Sequence, residues 1–135
     1  MSKHILGIDP GRSKTGLALT DSEGTIIRLM IADSSRIESE AADFLQGAEP
    51  DDIVIGDGTN SGVIGGAVKK LLPGVPMHTV GEAHSTEEAR SLYWEINPPG
   101  GWRRFVPLGM LVPGEPLDAY AAVVQIRRWL KTAGR

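Results

Sequence analysis

The chain has 135 residues and no cysteine; 41% of its residues are hydrophobic, 23% are charged, and its net charge is −3 at pH 7. These values predict one compact globular domain over residues 1–135 and exclude a disordered chain, disulfides and thiolate metal sites. The mild acidity argues against a protein that coats nucleic acid without specificity, but it is compatible with an enzyme that binds nucleic acid locally.

The first part of the chain has the pattern of a three-stranded meander. Residues 4–9 form a short apolar run, and residues 16–21 and 25–31 form two more. The last two runs are joined by a polar turn, SEG at 22–24, which predicts a hairpin.

Helices and strands then alternate. The sequence SRIE at 35–38 has the form of a capping box, which predicts that a helix begins there, and Gly47 is a natural stop for it. Residues 52–56, DIVIG, predict a parallel strand buried on both faces. A glycine-containing helix is expected over 60–72 and a further strand over 76–82.

The last part of the chain combines helices with a long loop. A second capping box, STEE at 85–88, opens a helix, and residues 97–116 are rich in proline and glycine. The final helix is expected from Pro116 to about Lys131. This order predicts an α/β sheet with an antiparallel half and a parallel half, covered by helices on both faces.

Three carboxylates stand at the ends of predicted elements. Asp9 closes the first strand, Glu82 closes the last, and Asp118 lies in the first turn of the final helix. In open α/β sheets, sites form where the carboxyl ends of strands meet helix N-termini, so these acids can converge. Carboxylate oxygens are the ligands that Mg²⁺ prefers, and a pair of such ions can promote phosphodiester cleavage. The alternatives are a simple turn-forming role for Asp9 and a favourable charge at a helix start for Asp118.

Further residues bear on whether the acids cluster. Asp57 also follows a strand, and Glu115 lies one turn before Asp118. Four or five crowded acids would repel one another without a cation, which favours a metal site over a structural one. Residues 121, 122 and 125 (Ala, Ala and Gln) form a face of small residues beyond Asp118, which predicts that the helix lies close against the sheet.

Four segments together resemble one protein family. They are ILGIDPGRSKTGLALTD at 5–21, IVIG at 53–56, VGEAHSTEEA at 80–89 and LDAYAAV at 117–123. Their order and approximate spacing resemble the YqgF/RuvX group of RNase H-like nucleases, which is related to RuvC. The resemblance implies an RNase H-like fold, with a five-stranded mixed sheet (an antiparallel 1-2-3 meander plus two parallel strands) flanked by helices. It also implies a metal-dependent endonuclease that uses Mg²⁺ or Mn²⁺.

The resemblance assigns the acids. Asp9, Glu82 and Asp118 match the metal-binding catalytic acids of the YqgF group, whose function is associated with processing small-subunit ribosomal RNA precursors and with Holliday-junction resolution. The usual Asp-Glu-Arg is here GEA at 81–83, and the usual Leu-Pro after the fourth strand is replaced by Asp57 and a glycine. In a RuvC-like register Asp57 itself would be the second acid. We therefore predict Glu82 as the second catalytic acid and keep Asp57 as the rival metal ligand.

Basic and aromatic residues suggest contacts with nucleic acid. Lys14 follows the turn after Asp9, where it could meet a phosphate or simply be a solvated loop residue. Arg103 and Arg104, beside Trp102, combine charge with a stacking surface. His84 could assist proton transfer next to Glu82.

The expected partner is nucleic acid, either an RNA precursor or branched DNA. The apolar segment at 105–113 could pack on the core or on a second subunit, so a homodimer is a further expectation. No apolar stretch reaches the roughly 18 residues of a membrane helix and MSKHILG lacks a signal-peptide pattern, so we expect a cytoplasmic protein without a membrane partner. Two other functions remain open: an RNase H-like binding protein without catalysis, and a phosphotransferase of the actin and sugar-kinase type, which would need a second domain.

Overall fold

A computed structural model of the chain describes residues 3–58, 60–81, 85–106 and 116–133, without the side chains of residues 85, 103, 104 and 133. The described strands are β1 (His4–Asp9), β2 (Lys14–Asp21), β3 (Ile26–Asp33), β4 (Asp52–Gly56) and β5 (Met77–Val80). The described α-helices are α1 (Ile37–Leu45), α2 (Ser61–Leu71), α3 (Ser85–Ile96) and α4 (Asp118–Ala133). Short 3₁₀ turns cover Ser34–Arg36 and Gly101–Phe105. None of the helices in these ranges is long and apolar enough to cross a membrane.

The strands form one sheet in the order β3-β2-β1-β4-β5. β2 pairs antiparallel with both β1 and β3, whereas β4 pairs parallel with both β1 and β5. The predicted meander and the two parallel strands are therefore confirmed. β1 lies in the middle of the sheet, so its end is surrounded by neighbouring elements.

Helices cover both faces of the sheet. Side chains alternate along a strand, so Leu6 and Ile8 of β1 pack on the face covered by α1 and α2, which we call the α1 side. Ile5 packs on the face covered by α3 and α4, which we call the α4 side. All three side chains are buried, which explains why β1 is apolar at nearly every position.

The start of α1 differs from the capping box expected at 35–38. Oδ1 of Asp33 accepts hydrogen bonds from the backbone N–H of Ser35 (3.0 Å) and from its hydroxyl (2.7 Å). These bonds cap the 3₁₀ turn that precedes α1, and α1 itself has no side-chain cap at Arg36. The capping-box prediction is wrong because an acid two residues earlier binds the Ser35 hydroxyl. The predicted stop is confirmed: Gln46 and Gly47 adopt left-handed conformations, with φ of 50° and 83°.

Other boundaries agree with the sequence to within about two residues. β2 begins at Lys14 instead of residue 16, and α4 begins at Asp118 instead of Pro116. α3 begins at Ser85, the first residue of the STEE segment that predicts a helix there. β5 ends at Val80, two residues earlier than expected.

Candidate active site

Asp9 ends β1 on the α4 side of the sheet. Along β1, Ile5 and Gly7 also face this side, and a β-carbon on Gly7 would lie 2.7 Å from the carbonyl oxygen of Ala122 in α4. Asp9 keeps this alternation, and its Oδ1 accepts a hydrogen bond of 3.0 Å from the side-chain amide of Gln125 in α4. The half-buried carboxylate of Asp9 thus faces the last helix.

Backbone contact with the sheet brings Asp118 to the same place. Gly16 of β2 is the direct antiparallel partner of Asp9. A β-carbon on Gly16 would lie 1.9 Å from the carbonyl oxygen of Asp118, so only glycine leaves room for the start of α4. The predicted close approach of the face containing Ala121 and Ala122 is confirmed, since both residues are buried against the sheet.

Asp9 and Asp118 line a common cleft of about 340 Å³. Lys14 lies in the same cleft, as does Thr86 from the first turn of α3. The other described lining residues are Pro10, Gly11, Leu117 and Ala121. The fold therefore brings together two of the predicted acids and one of the predicted basic residues at the carboxyl end of β1.

The two acids are not equivalent. Burial raises the pKa of Asp118 above its usual value because a partly desolvated carboxylate loses the water that stabilises its charge. A divalent cation in the cleft would offset that cost by direct attraction.

Polar side chains fix the turn that follows Asp9. The hydroxyls of Thr15 and Ser34 are 2.7 Å apart, and the Ser34 hydroxyl donates to the carbonyl oxygen of Gly11 at 2.7 Å. The side-chain amide of Asn60, before α2, donates to the same carbonyl at 3.0 Å. The end of β3 and the start of α2 thereby hold the wall of the cleft, and the sequence did not indicate this role for Ser34 or Asn60.

Asp57 lies outside this arrangement. It follows β4, beside β1, and its backbone N–H donates to the carbonyl oxygen of Val80 at 3.0 Å. Ile53 and Ile55 pack on the α1 side and Val54 on the α4 side, so the alternation directs position 57 to the α1 side, away from Asp9. Asp57 is exposed and is not among the described residues that line the cleft.

Several predicted site residues lie outside the described part of the chain. These are Glu82, His84 and Glu115, together with the side chains of Arg103 and Arg104. Trp102, beside the arginines, is 73% exposed. Within the residues that the structure does describe, no three carboxylate or histidine side chains come together as a metal site.

The described residues nevertheless suit a hard divalent cation. Mg²⁺ is usually held by one or two protein carboxylates together with waters and substrate phosphates, and Asp9 and Asp118 supply two carboxylates in one polar cleft. Lys14 in the same cleft would balance the charge of a phosphate. The donor set is therefore compatible with Mg²⁺ or Mn²⁺ bound jointly with a phosphodiester.

Two other polar residues have structural contacts. The guanidinium of Arg127 donates two hydrogen bonds, of 3.2 and 3.1 Å, to the carbonyl oxygen of Gly24 in the β2–β3 turn. This places Arg127 at the far end of β2 from Gly16, away from the cleft that Asp9 and Asp118 line. Nε2 of His78 is 3.0 Å from Oδ1 of Asp52, and its ring stacks on Trp129 at 4.5 Å.

Comparison with solved structures finds the same architecture. The structure of RuvC from Thermus thermophilus in complex with a Holliday junction substrate matches with a TM-score of 0.66 and 17% identity, over 96% of both chains. A second T. thermophilus RuvC structure matches with a TM-score of 0.63 and 16% identity, again over 96% of both chains. No protein-family model matches the chain, and no curated protein sequence matches it significantly. The chain has the RNase H-like fold of RuvC, which confirms the predicted fold.

Proposed function

We propose that this protein is a metal-dependent endonuclease that hydrolyses phosphodiester bonds in structured nucleic acid. The observation that carries the proposal is the convergence of Asp9 and Asp118, from the first strand and the last helix, in one cleft of an RNase H-like fold. Within this fold we assign the protein to the YqgF/RuvX-like group, because the four sequence segments described above follow the order of that group. We also propose that it acts in the cytoplasm.

Asp9 and Asp118 would hold one or two Mg²⁺ or Mn²⁺ ions, with Glu82 as the third acid. Such an ion, when bound, lowers the pKa of a bound water and stabilises charge on the leaving oxygen. We choose Glu82 over Asp57 because the VGEAHSTEEA segment at 80–89 resembles the YqgF group at the position of that acid. Asp57, in addition, follows a strand whose alternation directs its position to the α1 side.

Lys14 would bind a phosphate of the substrate next to the carboxylates. Lys14 lines the cleft and is an exposed residue, so its flexible side chain can bring the ammonium group to a backbone phosphate. Arg103 and Arg104, next to the exposed ring of Trp102, would bind further along the nucleic-acid strand.

Two substrate classes fit the proposal. The matched RuvC structure contains a Holliday junction, which supports branched DNA. The YqgF-like segments support a precursor of small-subunit ribosomal RNA. A homodimer would suit a four-way junction, which has two symmetric cleavage positions.

The test incubates the purified chain with a four-way DNA junction and with structured precursor RNA, in Mg²⁺, Mn²⁺ or EDTA. We expect cleavage that requires the metal, is lost in Asp9→Asn, and is retained in Asp43→Asn, an exposed acid on the α1 side. Metal-dependent cleavage by Asp9→Asn would contradict the proposal. Binding without cleavage would instead indicate an RNase H-like binding protein.

A further inference from the structure

Gln125 combines complete burial with an unbalanced hydrogen-bonding pattern. Its side-chain nitrogen donates to Oδ1 of Asp9 at 3.0 Å, whereas its side-chain oxygen is buried without a hydrogen-bond partner. Buried polar groups in proteins nearly always have partners, so an unpaired amide oxygen requires an explanation.

The chemistry of Asp9 fixes the orientation of the amide. A carboxylate only accepts hydrogen bonds, so the NH₂ group of Gln125 must face it, and the amide oxygen must turn toward the apolar interior. The reverse orientation would place two acceptor oxygens against each other. The unpaired oxygen is therefore the consequence of a donor directed at Asp9.

The path of α4 explains how Gln125 reaches the site. Asp118 and Gln125 are seven residues apart, which is about two turns, so they share one face of the helix. Ala122 lies over Gly7 and Asp118 lies over Gly16, the partner of Asp9. Helical side chains tilt toward the N-terminus of the helix, so the long side chain of Gln125 extends back along β1 to Asp9.

We propose that Gln125 is a positioning residue, which holds the carboxylate of Asp9 in the orientation that binds a divalent cation. This inference rests on the proposed function. Hydrogen-bond partners of metal-binding side chains fix ligand orientation, and their loss typically weakens metal affinity 10- to 100-fold. Packing alone does not require an amide here, because a methionine would occupy a similar volume without an unpaired oxygen.

The experiment measures Mn²⁺ affinity by isothermal titration calorimetry for the wild type, Gln125→Met and Thr20→Val. Thr20 is equally buried, but its hydroxyl donates to the Asp21 carbonyl at the opposite end of β2. We expect Gln125→Met to weaken Mn²⁺ binding about 10- to 100-fold and Thr20→Val to change it by less than about twofold. In metal-free protein the melting temperature of Gln125→Met should equal or exceed that of the wild type. If Gln125 had a purely structural role, the substitution would instead lower the melting temperature.

Each result bears on a definite claim. If wild type binds Mn²⁺ and Gln125→Met binds it equally well, the positioning role is refuted and the proposed nuclease stands. If wild type binds no Mn²⁺, the proposed function and this inference both fail. Should Gln125→Met not fold, Gln125→Asn takes its place: its amide is one methylene short of Asp9, so it should show the same loss, and unchanged affinity would refute the inference.

Discussion

Gly16 and Asp118 approach so closely that a β-carbon on Gly16 would lie 1.9 Å from the Asp118 carbonyl oxygen. Because Gly16 also pairs directly with Asp9, one residue without a side chain determines how near the two acids come. The carbonyl oxygen of Asp118 is a backbone atom, so it cannot move away from an added β-carbon by a change of rotamer, as the end of a flexible side chain could.

Gly16→Ala should displace the start of α4. We expect the free energy of unfolding to fall by about 1–3 kcal/mol, as for an overpacked core, and metal-dependent cleavage to be lost. The control is Gly66→Ala, where nothing lies within 4 Å of the added carbon and alanine favours the helix by roughly 0.5–1 kcal/mol. Urea denaturation of both variants gives the comparison, and a Gly16→Ala variant with wild-type stability would contradict the observed contact.

Asp118 should make the protein less stable as the pH rises through its titration. Burial raises its pKa above the usual 3.8, so between 3.8 and the raised value the folded state binds more protons than the unfolded state. The free energy of unfolding therefore falls across this window and levels off above it. In Asp118→Asn that fall should be absent. The free energy of unfolding of the variant, measured relative to wild type, should therefore be higher at pH 7 than at pH 3.

Asp21 provides a control of opposite sign. Hydrogen bonds from the backbone N–H groups of Thr25 and Glu23 lower the pKa of Asp21, so its contribution is present above pH 3.8 and is lost as the pH falls through the folded pKa. Asp21→Asn should therefore be less stable than wild type at pH 7 and approach it as the pH falls below the folded pKa of Asp21. Urea melts at several pH values separate the two trends, and parallel profiles for the two variants would disprove the assignment.

The second catalytic acid can be identified by a pair of variants. We expect Glu82→Gln to reduce the cleavage rate by about 100-fold or more. Removing a metal ligand should cost more activity than removing a side chain that only hydrogen-bonds to a ligand, which typically costs about 10- to 100-fold. Asp57→Asn should stay within a few-fold of wild type, because β4 directs that position to the α1 side. Single-turnover cleavage rates decide between them, and the reverse ranking would favour the RuvC-like register.

Lys14 should contribute a single phosphate contact. Replacing it by methionine should weaken nucleic-acid binding similarly for all sequences and reduce the slope of log K against log salt by about 1. Lys70→Met is the matched control, because Lys70 is an exposed lysine on α2, on the opposite face of the sheet. Titrations at several salt concentrations measure both slopes, and equal slopes for the two variants would count against a contact at Lys14.

The fold was predictable because its signals are local and strong. The apolar runs of β1 and β4 match their observed bounds, since each strand is buried on both faces and ends where polar residues begin. The small residues of α4 correctly indicated a helix that lies close to the sheet. The assignment of Asp9, Asp118 and Lys14 as functional residues remains a prediction, although the structure places all three in one cleft.

Features that depend on distant contacts were not predictable from sequence. Asp33 caps the 3₁₀ turn that precedes α1. Whether Asp33 or the SRIE segment supplies the cap depends on where β3 ends. Gln125 was recognised only as part of a helix face, because its partner is 116 residues earlier in the chain. Gly16 resembles an ordinary strand glycine until the start of α4 is placed over it.

The seven-residue interval on α4 sets a limit on how the length of this helix can vary. Each residue turns a helix by about 100°, so one amino acid inserted between Asp118 and Gln125 would rotate one of them off the sheet while the other stayed. An insertion or deletion of one residue within this interval should therefore separate Asp118 from Gln125 on the helix surface and disrupt the site.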